Sequence, residues 1–167
     1  KMGAAIETAK GLRQAYAIAS ASPRMEFLAI GGEDFIADLK TTRSKDGREL
    51  FVARSQLVLA AREAGIQAID TVFADANDDE TFLNEVRFIK QLGFDGKSVI
   101  NPRQVRQVQE VFAPTEKEIS HARRVLAAYQ DALDRKSGVI ALDGKMIDTP
   151  IVTRAERVLA YAAAVRN

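Results

Sequence analysis

The 167-residue chain has no cysteine, a single histidine and no apolar run near the ~18 residues that a membrane span needs. Without cysteine, thiol catalysis, Cys-ligated zinc and disulfides are excluded, and a reducing, cytoplasmic setting is the natural expectation. One histidine rules out a His-rich metal site. Charge of one sign is also lacking: 24 Lys+Arg stand against 23 Asp+Glu, a net of +1. No strong field steers nucleic acid or anionic membrane, so neither is expected as a partner, although a local basic patch could hold a phosphate. The N-terminus lacks the zones of a signal peptide and passes from Lys1-Met2-Gly3 straight into apolar sequence, so the chain reads as an excerpt of something longer. With 47% hydrophobic and 28% charged residues, what is present has the composition of an ordinary globular domain.

Short apolar runs alternate with helical periodicity, the rhythm of βα units. The runs are Ala4-Ala5-Ile6, Phe27 to Ile30, Ile69 to Ala74 and Ser98-Val99-Ile100, mostly apolar like parallel strands buried on both faces. Between Leu50 and Ala64, Leu50, Phe51, Ala53, Leu57, Val58 and Ala61 recur at helical spacing, and Gly65 supplies a left-handed stop. Asn77 with Glu80 predicts a capping box for a helix that Gly93 ends, and Asn101-Pro102 opens another along Val105, Val108 and Phe112. Thr115 with Glu118 predicts a second capping box, for a helix reaching past Leu133. Ser137-Gly138 then breaks the pattern. Val139 to Asp143 and Lys145 to Ile147 flank an Asp-Gly turn, and Thr149-Pro150 starts a terminal helix. Four parallel strands cannot close a barrel, and an open sheet of four leaves two apolar edges. The chain is therefore either a small doubly wound sheet or the second half of a (β/α)8 barrel.

Active sites of such folds form at the C-terminal ends of the strands, where Glu7, Gly31-Gly32-Glu33-Asp34, Asp75 and Asn101 follow the four runs. Carboxylates converging there, without histidine or cysteine, suit a hard divalent cation, Mg²⁺ in preference to Zn²⁺. The same positions suit helix caps and first turns, for Glu33 and Asp75 more than for Glu7 and Asp34. Lys40, Arg43, Lys45 and Arg48 read as a solvated loop, with contact to a phosphate-bearing carrier the alternative. His121 reads as surface. Asp148, before Thr149-Pro150, reads locally as part of a helix N-terminus.

Ile6-Glu7-Thr8-Ala9, Gly31-Gly32-Glu33-Asp34-Phe35, Gly93 to Gln104 (GFDGKSVINPRQ) and Leu142 to Pro150 (LDGKMIDTP) together resemble the citrate lyase beta subunit family. Its relatives are malyl-, citramalyl- and citryl-thioester lyases among the Mg²⁺-dependent HpcH/HpaI aldolase-like TIM barrels. Members are nearly twice this length. The resemblance therefore implies residues 1–136 as strands 5 to 8 of a barrel and 137–167 as a C-terminal lid of hairpin and helix. It also implies Glu7 and Asp34 as Mg²⁺ ligands, the backbone at Gly32 and Glu33 as receiver of a substrate carboxylate, and Asp148 as the acid delivered from the lid of a neighbouring subunit, usually in a trimer.

The reaction implied is retro-Claisen cleavage of a citryl thioester, on acyl carrier protein or coenzyme A, to oxaloacetate and an acetyl thioester. Metal at Glu7 and Asp34 would stabilise the developing alkoxide, and Asp148 would protonate the thioester enolate. The alternatives are a citramalyl- or malyl-coenzyme A lyase or thioesterase of the same superfamily, and a non-catalytic fragment or assembly subunit of a citrate lyase complex.

Overall fold

In a computed structural model that describes residues 1–135 and 140–165, the chain forms two compact units, Lys1–Phe112 and a second from Ala113 onward. The first contains β1 (Met2–Ile6), α1 (Ala9–Arg13), α2 (Ala15–Ala19), β2 (Met25–Ile30) and α3 (Gly32–Asp38). A 3₁₀ turn, Arg48–Leu50, leads into α4 (Phe51–Glu63), followed by β3 (Gln67–Asp70), α5 (Asp79–Leu92), β4 (Gly96–Lys97) and α6 (Pro102–Phe112). The strands form one parallel sheet in chain order β1-β2-β3-β4, with Ile6 opposite Ile30, Leu28 opposite Ala68 and Asp70 opposite Lys97. Each strand is followed by helix, and the buried faces interlock: Ile6, Leu28, Ile30 and Ala68 share a core with Phe35, Leu57, Ala61, Phe82, Val86 and Ile89. β1 and β4 are the sheet edges, each without a further strand among the described residues.

Two strands differ from the pattern of apolar runs. β3 ends at Asp70, before most of the predicted run, and β4 consists of Gly96 and Lys97, ahead of Ser98-Val99-Ile100. The reason is a buried ionic pair. Asp70 and Lys97 sit opposite each other in the ladder with their charges neutralised inside the protein, so Lys97 occupies a strand position ahead of the run that an apolar criterion marks.

The helix boundaries follow the stop signals closely. Gly65 and Gly93 are left-handed, with φ of 71° and 99°. The cap of α5 is Asp78, whose carboxylate accepts Thr81 N–H at 3.0 Å, in place of the predicted Asn77. Asn77 instead donates its own N–H to Asp75 Oδ1 at 2.9 Å, one residue too early to start the helix. On α6 the buried face runs through Gln104 and Phe112, and Val105 is exposed.

The second unit contains α7 (Glu116–Asp134), a hairpin of β5 (Ala141–Leu142) and β6 (Lys145–Met146), and α8 (Thr149–Val165). The predicted Thr115–Glu118 capping box is present in both directions. Asp143 and Gly144, with φ of 51° and 75°, make the turn whose twist matches a two-residue hairpin. Ala122, Val125, Ile147, Val152 and Ala155 form the buried cluster, so α7 packs with the hairpin and α8. Ser137, Gly138 and Val139 lie outside the described residues. Among those described, no helix is long and apolar enough to cross a membrane.

Candidate functional site

Glu7 leaves the end of β1 just before Thr8, whose hydroxyl accepts Gly11 N–H at 3.0 Å and so starts α1. The Glu7 side chain lies over Gly31: a Cβ there would come 2.4 Å from Glu7 Cγ and 2.8 Å from Oε1. Gly31 ends β2, donates its N–H to Ile6 O at 3.0 Å and is the N-cap of α3. The Glu7 carboxylate therefore sits at the strand-to-helix turn that carries Glu33 and Asp34 in its first helical turn. The other end of α3 is tied back, because Asp38 Oδ2 accepts Ala9 N–H at 2.7 Å.

Glu7 and Asp34 are both exposed, and neither is engaged in a hydrogen bond or ion pair among the described residues. Two free hard-oxygen donors at one turn fit a Mg²⁺-type cation, whose remaining positions belong to water or substrate oxygens. No cluster of three or more His, Cys, Asp or Glu side chains suited to a metal exists among the described residues.

The other sequence candidates divide. Glu33 is ion-paired with Arg43 at 3.1 Å. Gly32 is buried, and its N–H donates to Thr71 Oγ1 at 2.9 Å. The N–H of Glu33 belongs to the first turn, where no intrahelical acceptor exists. Asp75 caps its own loop, and Asn101 Oδ1 accepts Arg103 N–H at 3.0 Å as a helix cap. Arg48 pairs with Asp46, Lys40 and Lys45 are exposed, and His121 is on the surface. Asp148, in the second unit, is exposed and accepts Ile151 N–H at 3.3 Å at the start of α8. A cavity of about 260 Å³ opens between Glu33, Arg43, Phe73, Asp75 and Thr81.

A group of buried ions escaped the sequence reading. Arg54 on α4 makes a two-pronged pair with Asp70, Nε to Oδ1 at 2.8 Å and Nη2 to Oδ2 at 3.0 Å. Its Nη2 also lies 3.0 Å from Glu85 Oε2 on α5. Lys97 Nζ donates to Asp70 Oδ2 at 2.8 Å, to Glu85 Oε1 at 2.5 Å and to the Thr71 carbonyl at 2.6 Å, which uses all three of its protons. At the rim, Arg43 Nη2 reaches Glu85 Oε2 at 2.8 Å. Gly47, left-handed at φ 61°, brings backbone against Arg54, and a Cβ there would stand 2.9 Å from Nη1.

The charges are strongly conditioned by one another. Burial alone would push the Glu85 carboxyl up, but Lys97, Arg54 and Arg43 outweigh it and hold the group at about 2. Burial likewise opposes the Arg54 charge, and Asp70 and Glu85 overcome it, so its guanidinium is protonated even more firmly than usual. A signal for this cluster exists in the sequence. Arg54 interrupts the buried face of Leu50, Leu57, Val58 and Ala61, and Asp70 interrupts Ala68-Ile69, each a lone charge where the period demands an apolar side chain.

The family model described as HpcH/HpaI aldolase/citrate lyase matches residues 1–102. The chain belongs to this family. Glu7, Asp34 and the whole buried ionic cluster lie inside the matched span, and Asp148 lies beyond it. The citrate lyase subunit beta of Leuconostoc mesenteroides subsp. cremoris is 53% identical over 163 residues, covering 98% of this chain and 54% of that protein. The mitochondrial citramalyl-CoA lyase of Rattus norvegicus is 32% identical over 170 residues, 97% of this chain and 50% of the relative. Among solved structures, protein CitE from Mycobacterium tuberculosis in complex with magnesium, acetoacetate and coenzyme A superposes with a TM-score of 0.80 at 35% identity, over 95% of this chain and 60% of that one. The chain thus spans about half the length of the curated family members it matches.

Proposed function

We propose that this chain is the part of a citryl-thioester lyase subunit running from the fifth strand of a (β/α)8 barrel to its C-terminal lid. Residues 1–136 would be barrel and 137–167 lid, in a cytoplasmic homotrimer or citrate lyase complex. The carrying observation is the Glu7 carboxylate laid over Gly31 at the turn that bears Asp34, both carboxylates unengaged among the described residues. The higher identity to a citrate lyase subunit beta, 53% against 32% for a citramalyl-CoA lyase, favours a citryl substrate over a citramalyl one.

Glu7 and Asp34 would hold Mg²⁺, which supplies Lewis-acid polarisation of the substrate hydroxyl and an adjacent carboxylate. The first turn of α3 would receive a substrate carboxylate at its backbone, through Glu33 N–H, beside Gly32, whose own N–H is held by Thr71 Oγ1. The hydroxyl proton passes to solvent, from which Asp148 is reprotonated after turnover, the hydroxyl carbon becomes the keto carbon of oxaloacetate, and the carbon–carbon bond breaks. Its electron pair passes to the α-carbon of the acetyl thioester. The Asp148 carboxyl, presented by the lid of a neighbouring subunit, donates the proton that this carbon takes up, and in the reverse direction its carboxylate removes it.

The test is Asp148→Asn in the intact protein, with oxaloacetate release from citryl thioester followed by coupled reduction. Turnover should fall by about 10²-fold or more while metal-dependent substrate binding persists. Unchanged turnover would remove Asp148 from the chemistry, and absence of oxaloacetate release by the unmodified protein would remove the citryl substrate.

A further inference from the structure

We propose that Thr71 and Arg43 are positioning residues for the Glu7/Asp34 site, tying the first turn of α3 to the buried ionic cluster. The inference rests on the metal-site reading above and extends it to residues that touch neither metal nor substrate.

A staple between α4, β3, α5 and β4 needs only the Arg54–Asp70 and Lys97–Glu85 pairs, yet two connections leave the cluster and end on consecutive residues of α3. In the first, Lys97 Nζ holds the Thr71 carbonyl at 2.6 Å, and the Thr71 hydroxyl accepts Gly32 N–H at 2.9 Å. In the second, Glu85 Oε2 holds Arg43 Nη2 at 2.8 Å, and Arg43 Nη1 holds Glu33 Oε1 at 3.1 Å. The contact between Thr71 and Gly32 is close as well as polar: a Cβ on Gly32 would meet Thr71 Oγ1 and Cγ2 at 2.8 Å.

The consequences are local to the site. Thr71 is buried, so its hydroxyl fixes the Gly31–Gly32 turn on which the Glu7 side chain lies. Arg43 engages the Glu33 carboxylate through Oε1, so that of the two acids in this turn only Asp34 is left without an ion pair. Lys97, Asp70 and Arg54 have no solvent-exposed side-chain surface, and a fixed anchor of this kind orients groups with little wandering. The outer connection differs in that Arg43 is part-exposed and can be replaced without opening the interior.

The probe is Mn²⁺, titrated by electron paramagnetic resonance into the intact protein in saturating oxaloacetate, with thermal melting recorded on each variant. Glu7→Gln should abolish binding. Thr71→Val, which keeps shape and loses the acceptor, should weaken it about tenfold, and Thr71→Ser should restore it. Arg43→Met should weaken binding in the same direction with a smaller fall in melting temperature than Lys97→Met, because its guanidinium is part-exposed. If Thr71→Val does not fold, Arg43→Met carries the decision. Wild-type Mn²⁺ affinity in both Thr71→Val and Arg43→Met, with Glu7→Gln inactive in binding, would overturn the positioning role and leave the metal site standing. Equal loss in Thr71→Ser and Thr71→Val would overturn it too, by making packing the cause. Wild-type binding by Glu7→Gln would overturn the metal site and this inference with it.

Discussion

Asp70 and Lys97 face each other across the β3–β4 ladder, joined at 2.8 Å with neither side chain exposed to solvent. Two charges in this position repay their desolvation only together, because each supplies the counter-charge and hydrogen bonds that water would have given. Arg54 and Glu85 extend the pair into a four-residue cluster that binds α4 and α5 to the sheet.

Lys97→Met should therefore destabilise the protein by about 3–5 kcal/mol, since Asp70 and Glu85 would remain buried with too little positive charge. Urea unfolding measures the loss. A change below about 1 kcal/mol would mean that water reaches the vacated position and the cluster is not sealed.

The Glu85 carboxyl, held at about 2 against an ordinary 4.5, sets a pH dependence. A folded-state value below the unfolded one contributes stability that is present above the unfolded pKa and lost as pH falls through the folded one. Stability should fall between about pH 4.5 and pH 2, by an amount on the order of 3 kcal/mol from this group alone. Glu85→Gln should be less stable at neutral pH and show a shallower acid limb. Parallel acid limbs in the two proteins would assign the acid transition to other groups.

Gly31→Ala separates folding from function. Its Cβ would fall 2.4 Å from Glu7 Cγ, and the atom that must yield belongs to a flexible, exposed side chain. Stability should change by about 1 kcal/mol or less, because α3 loses only a glycine N-cap. Mn²⁺ binding should nevertheless be lost, because Glu7 is displaced from the turn. Retained binding with wild-type affinity would show that the Glu7 carboxylate reaches the metal from another direction.

The alternation of strand and helix, the glycine stops at Gly65 and Gly93, the Thr115–Glu118 box and the Asp143-Gly144 turn were all legible from the sequence, as was the place of Glu7 and Asp34 at strand ends. These features depend on neighbours within a few residues, and local backbone chemistry decides them. Arg54, Asp70, Glu85 and Lys97 come from α4, β3, α5 and β4, so only the folded sheet makes four isolated charges into one compensated cluster. The same holds for Thr71 against Gly32, 39 residues apart. A charge alone in an apolar run costs too much to bury, and its partner is chosen by tertiary packing. Sequence determined which groups stand at the ends of the strands; the tertiary structure decided which buried charges hold the turn that carries them.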